Sequence, residues 1–123
     1  MIQARDRGRL SHMLFYANQA VTLLGDRESA ALENDLRTLL AVVYALQIVG
    51  EAASKTSTEM RQAHPEILWA PAIRMRHVLV HDYFEIKAEV VIETVHADLP
   101  PLIRALEALL EEGAPMNAPL GGT

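Results

Sequence analysis

Cysteine is absent from the sequence, which excludes a disulfide framework, a zinc–thiolate site and a thiol nucleophile together. Aromatic residues are scarce, 5% of the chain against 50% apolar overall, so the interior has to be built from Leu, Val, Ile, Ala and Met. That is the palette of a helical bundle. Positive charge is also in short supply: 11 Lys and Arg face 16 Asp and Glu, a net −5. Such a balance excludes coating nucleic acid through bulk charge, and any contact with a polyanion has to be local. Long apolar runs are missing too. The longest, Leu39 to Leu46, is eight residues, well short of the roughly 18 that suggest a membrane span, and reads as a buried helix with no membrane partner. The opening MIQARDRGRL carries three Arg and none of the apolar stretch of a secretory signal. A cytoplasmic location is expected, and the lack of cysteine fits it.

What is present suits one domain: 123 residues are about one domain's worth. Glycine and proline cluster at the end, where GAPMNAPLGGT holds three of the six Gly and two of the six Pro. Residues 113–123 therefore read as a flexible tail and residues 1–112 as the folded unit. Within that unit Leu10, Met13, Leu14, Ala17, Ala20, Val21 and Leu24 repeat at helical spacing, predicting a helix over about 4–24 that stops at Gly25-Asp26. Leu32, Leu36, Leu39, Leu40, Val43, Leu46, Val49 and Ala53 predict a second, longer one. Its extra apolar positions, Val42, Ala45 and Ile48, call for a second partner surface, in the bundle or in another subunit. Pro71 suits the first turn of a short third helix over about 71–81. A fourth starts near Lys87 and carries Val91, Val95, Leu99, Leu102, Ile103, Leu106, Leu109 and Leu110 across Pro100-Pro101 as a kinked or restarted helix. No stretch alternates long enough for a strand. The expected fold is all-α, an antiparallel bundle of four to five helices.

Functional side chains are densest at Arg74-Met75-Arg76-His77-Val78-Leu79-Val80-His81-Asp82-Tyr83. One explanation is plain: Met75, Val78, Leu79 and Phe84 pack inward and the polar groups are the wet side of a short helix. The other is chemical. Arg76 is permanently cationic and can fork two donors onto a phosphate; His81, near a helix C-terminus, can exchange protons near neutral pH. In RNA the 2′-hydroxyl is a built-in nucleophile, so cleavage needs a base, an acid for the departing 5′-oxygen and a cation for the phosphorane. Neither a metal nor a cofactor is required. Five residues rotate a helix by about 140°, so Arg76 and His81 share a site only if the last turn unwinds or a second copy completes it. A two-fold dimer would supply acid and base from different chains.

The run from Arg76 to Tyr83 matches R-x-x-x-x-H-x-Y. With Trp69, Ile73, Met75 and Phe84 around it, it resembles the HepT-like group of the HEPN superfamily. The likeness extends to Ser11-His12-Met13-Leu14, to Ala45 through Ala53, to His64-Pro65-Glu66-Ile67-Leu68-Trp69 and to Asp98-Leu99-Pro100-Pro101-Leu102. The resemblance implies an HEPN-like homodimer and a metal-independent endoribonuclease, the toxin of a toxin–antitoxin pair. Its cognate antitoxin would be a nucleotidyltransferase of the minimal (MNT) type, inhibiting by AMPylation of the motif tyrosine. Carried over, Arg76 and His81 are the catalytic pair and Tyr83 the modified residue. Two positions depart from the pattern: His77 stands where Asn is common and Arg74 where Gly is common. Both add basic character suited to RNA contact, and His77 is placed to alter the pH dependence.

Rival constellations are thinner. His77 and His81 are four apart, a chelating spacing, but no fixed third ligand is evident. Glu93-Thr94-Val95-His96 is half of a di-iron pattern that needs a second copy; a solvated face explains it. Gly50, mid-helix at a cost of ~1 kcal/mol relative to Ala, marks a close backbone approach at a helix crossing or a subunit interface, and Glu51 beside it either pairs with an Arg of the third helix or stands on an exposed face. No phosphate-binding glycine loop or nucleotide-binding fingerprint occurs, so the chain is not expected to be the nucleotidyltransferase itself. The alternative to a nuclease is a non-catalytic helical adaptor for that enzyme.

Overall fold

The computed structural model describes residues 2–77 and 87–112. Helix α1 runs Ala4–Leu24 and stops at Gly25, whose φ of 57° lets its N–H reach back to Val21 O. The predicted second helix is in fact two. A short α2 spans Ser29–Glu33 and α3 spans Leu36–Lys55. The apolar spacing runs across this break and conceals it; the local chemistry makes it. Asn34 Nδ2 donates to Ala30 O, closing α2. Asp35 then accepts from Thr38 N at 3.2 Å and from Thr38 Oγ1 at 2.6 Å, the geometry of a helix N-cap.

Helix α3 packs antiparallel on α1, as the pairs Tyr16–Tyr44 and Arg9–Lys55 show. Leu10, Met13, Ala17, Ala20 and Leu24 of α1 are fully buried, opposite Val42, Ala45, Leu46, Val49 and Ala53 of α3. This corrects the expected stripe in part. Val42 and Ala45 find their second partner surface within the bundle, one of the two places expected. Leu39, Val43, Leu46, Val49 and Ala53 are buried as the stripe requires, but Leu36, Leu40 and Tyr44 are exposed by 62%, 49% and 57%. Helix α3 is long and apolar enough to cross a membrane, but half of its most apolar window is buried inside the bundle, as in the core helix of a globular fold.

After α3, Ser57 caps the short helix α4 (Thr58–Ala63), which ends at His64 just before Pro65. Trp69 opens α5 (Trp69–Arg74), and its indole N–H donates to His64 O at 2.9 Å, tying the loop to the new helix. Pro71 lies in the first turn of α5, as expected. Helix α6 (Ala88–Glu93) passes through a π-helical turn, Thr94–Asp98, into α7 (Leu99–Glu112). In that turn the Leu99 N–H bonds to Thr94 O, and Thr94 Oγ1 donates back to Val90 O. Both features widen and bend a helix immediately ahead of Pro100 and Pro101, whose rings a straight α-helix would exclude. The segment is therefore the restarted helix expected from its apolar spacing, with Val91, Val95, Leu99, Leu102, Leu106 and Leu109 buried. The fold is all-α and HEPN-like, and no strand occurs among the described residues. The expected tail, 113–123, lies outside those residues.

One buried carboxylate ties the start of the chain to its middle. Asp6 of α1 accepts from Ser57 N at 3.0 Å and from Ser57 Oγ at 2.6 Å. Burial raises its pKa, but the two Ser57 donors, with Arg9 and Arg5 nearby, outweigh that and hold it below the ordinary carboxylate range. Its stabilisation is thus complete above the unfolded-state pKa and disappears as pH falls through the lower folded value. Asp6→Asn should lower stability by about 1–2 kcal/mol at neutral pH, with the gap from the parent protein narrowing below about pH 4. Denaturant unfolding at the two pH values measures both effects.

Candidate active site

The site is built on the crossing of α3 with the end of α5. Beyond Arg74 the backbone tightens: Met75, Arg76 and His77 donate to Ala72, Ile73 and Arg74 at 3.1, 3.2 and 2.9 Å, each three residues back. Met75 is buried, anchoring the turn, so Arg76 is held against α3. Gly50 is what permits this. A methyl group there would fall 2.8 Å from Arg76 Cβ and 3.0 Å from its Cα, and closer still to its backbone N. The close approach expected from a mid-helix glycine is present, and the backbone that comes close belongs to the motif arginine.

The Arg76 side chain is about one-third exposed. Arg76 Nε donates to His77 Nε2 at 3.1 Å, a contact in which that ring nitrogen has to present its lone pair. Arg76 Nη1 faces Glu51 Oε2 at 3.9 Å, the pairing expected between Glu51 and the third helix. At that length it is Coulombic rather than a hydrogen bond. Glu51 is shared, because Lys55 Nζ stands 3.7 Å from its other oxygen. Arg74 and His77 are exposed on the same tightened turn. The geometry therefore brings Arg76 and His77 together beside Glu51, with Arg74 exposed on the same turn. His81 and Tyr83 lie outside the described residues, as do Asp82 and the remainder of the connection to Lys87.

Three residues near Glu51 were not singled out by their sequence: Arg5, Arg9 and Lys55. With Gly8, His12, Ile48 and Glu51 they line a groove of about 460 Å³ between α1 and α3. A signal did exist, since Arg5 and Arg9 stand at i, i+4 on one helical face with His12 three further on. Of the rival metal readings, the His77–His81 pair lies partly outside the described residues; Glu93, at the end of α6, and His96, on the π turn, are exposed, and the described residues contain no cluster of three or more His, Asp or Glu able to hold an ion.

A family model described as Ribonuclease HepT-like matches residues 13–109, a span that includes Gly50, Arg76, His81 and Tyr83. The chain belongs to the HepT-like ribonuclease family. The expected enzyme class, RNA cleavage, is that of the family. Among its relatives, a Thermococcus cleftensis protein named "Probable ribonuclease HepT" is 40% identical over 75 residues, covering 61% of this chain and 68% of that one. A Caldanaerobacter subterraneus protein, named an RNase by inference, is 31% identical over 72 residues, 58% of this chain and 64% of its own. A Methanocaldococcus jannaschii protein named in the same way is 28% identical over 98 residues, 80% of this chain and 90% of its own. No solved structure matches.

The Gly50–Arg76 contact yields a direct test within this HepT-like fold. In an open helix Gly→Ala stabilises by up to ~1 kcal/mol; here the obstacle is backbone, which cannot rotate aside. Gly50→Ala should instead destabilise by about 1–3 kcal/mol, seen as a lower melting temperature. An unchanged or raised melting temperature would mean that α3 and the α5 turn separate without cost.

Proposed function

We propose that the protein is a metal-independent endoribonuclease, the toxin half of a type VII toxin–antitoxin pair. The observation that carries the reading is the seating of Arg76: a permanently charged, partly exposed guanidinium pinned through its own backbone against Gly50, in a chain of the HepT-like ribonuclease family. A cation fixed in this way costs little reorganisation when negative charge develops in front of it. In the proposed reaction an imidazole takes the proton of the RNA 2′-hydroxyl, and the 2′-oxygen attacks phosphorus. The bond from phosphorus to the 5′-oxygen breaks, and that oxygen receives a proton from an acid. The products are a 2′,3′-cyclic phosphate and a 5′-hydroxyl. Arg76 holds the phosphoryl oxygens; His81 moves protons; Arg74 and His77 add contacts to the RNA.

The reading includes a homodimer. Leu36, Leu40 and Tyr44 form an exposed apolar row on α3, with Phe15 of α1, 55% exposed, beside it. A second copy packed there would let two His81 divide the acid and base roles. It also includes control by a cognate nucleotidyltransferase of the minimal type that attaches AMP to Tyr83. Two residues from His81, an adenylyl group would add bulk and negative charge where the RNA phosphate has to sit.

The test is purified protein with RNA in EDTA. Cleavage leaving 2′,3′-cyclic phosphate ends is expected, falling by about 10²–10³ in Arg76→Ala and by about 10²–10⁴ in His81→Ala. Loss of activity in EDTA would transfer the chemistry to a metal held by His77 and His81. Intact RNA at high protein concentration, with no AMP on Tyr83 after co-expression with the nucleotidyltransferase, would leave only the adaptor.

A further inference from the structure

We propose that the groove between α1 and α3 is a second nucleic-acid subsite, which holds the sugar-phosphate strand on one side of the linkage at Arg76. The proposal rests on the RNA-cleaving reading above and adds a path for the substrate.

Position comes first. Glu51 belongs to both places: its side chain lines the groove and its carboxylate faces the Arg76 guanidinium. A strand whose phosphate reaches Arg76 therefore passes directly to the groove mouth.

Charge comes second. The chain has five more acidic than basic residues, yet Arg5, Arg9 and Lys55, with His12, converge on this groove against Glu51 alone. Arg9 Nη1 donates to the Lys55 carbonyl at the end of α3. A guanidinium has five donors, so this contact orients the fork without exhausting it. The Lys55 side chain is 62% exposed, and among the described residues its ammonium is engaged only by the exposed Glu51, an interaction that a phosphate can replace.

Shape comes third. Between the cations the floor is small and apolar: Ala4, Gly8, Ala52 and the half-buried Ile48. At Gly8 a Cβ would meet nothing, so neither strain nor a neighbouring backbone demands glycine. The space is left open. About 460 Å³ is within the range of small-ligand sites and gives room for roughly one nucleotide. A cationic rim over an apolar floor suits a single strand, with phosphates at the rim and ribose or base against the floor.

The experiment measures binding, so that it does not depend on cleavage. A fluorescent 2′-O-methyl oligonucleotide of about twelve residues, within the range of single-strand sites, is titrated with the purified protein by anisotropy between about 50 and 200 mM salt. Arg5→Gln combined with Lys55→Gln should weaken binding roughly tenfold and reduce the slope of log affinity against log salt by about 1.4, two phosphate contacts at ~0.7 each. Arg104→Gln, a charge change on the exposed side of α7, should leave both unchanged. Wild-type affinity and slope in the double variant would overturn the subsite. So would an equal loss in Arg104→Gln, which would reduce the effect to net charge. A change of the double variant's oligomeric state in sedimentation would overturn it as well, by assigning the face to protein contact. Failure of the cleavage reading is a separate result: wild-type protein that binds the oligonucleotide but leaves unmodified RNA intact.

Discussion

Where α3 crosses the end of α5, one backbone lies directly on another, and the placement of the Arg76 guanidinium follows from that contact. Gly50 has no side chain to hold the two apart. Met75 is buried below the turn, and the three-residue hydrogen bonds through His77 leave the segment little slack. The guanidinium therefore emerges from a rigid base while its head stays exposed enough to meet a ligand. A flexible arginine on an open loop would lose side-chain entropy each time it gripped a phosphate. Here much of that ordering is already done by folding, with glycine's own helix penalty of ~1 kcal/mol as its cost.

The outer face of the α1–α3 pair has two halves. Toward the start of α3 it is apolar, with Leu36, Leu40, Tyr44 and Phe15 exposed. Toward the end of α3 it is cationic, with Arg5, Arg9, His12 and Lys55 around the groove. Arg76 meets the face through Glu51, within the cationic half. The helices are antiparallel, so the first turns of α1 and the last turns of α3 come together, and positions some fifty residues apart in the chain form one surface. On the proposed reading the apolar half takes a second protomer and the charged half a polyanion. Neither function has to compete with the other for area.

Legibility in the sequence followed the range of the interactions. The extents of α1 and of the α6–α7 segment could be read because apolar spacing and the flanking glycine and prolines act locally. The break at Asn34-Asp35 was masked, since the leucine spacing is continuous across it and only side-chain hydrogen bonds end one helix and begin the next. Most of the expected α3 stripe is core, but the exposure of Leu36 and Leu40 was hidden for a different reason. A helix apolar on several sides leaves the choice to its neighbours, and α1 selected Val42 and Ala45 over Leu36 and Leu40. At the site, Gly50 and Glu51 were recognisable as a crossing with a charge partner because a mid-helix glycine is costly enough to need a reason. Arg5, Arg9 and Lys55 were not. The i, i+4 spacing of Arg5 and Arg9 is common on any solvated helix, and with Lys55 they acquire meaning only when α1 and α3 lie side by side.

On the proposed reading, an acidic protein that binds RNA has to solve a local problem, and Glu51 is the means. Left alone, Arg76 and Lys55 would repel each other; the carboxylate between them, 3.9 and 3.7 Å away, screens that repulsion. Both pairs are solvent-exposed and of a kind that contributes roughly 0–1 kcal/mol each. They are weak enough for a phosphate to displace. The arriving phosphate brings two or more acceptor oxygens and forms charge-assisted hydrogen bonds, which are roughly twice as strong as neutral ones. A tighter internal ion pair would have stabilised the empty site at the expense of the occupied one. The long Arg76–Glu51 distance is thus the arrangement that keeps the cations assembled and still available.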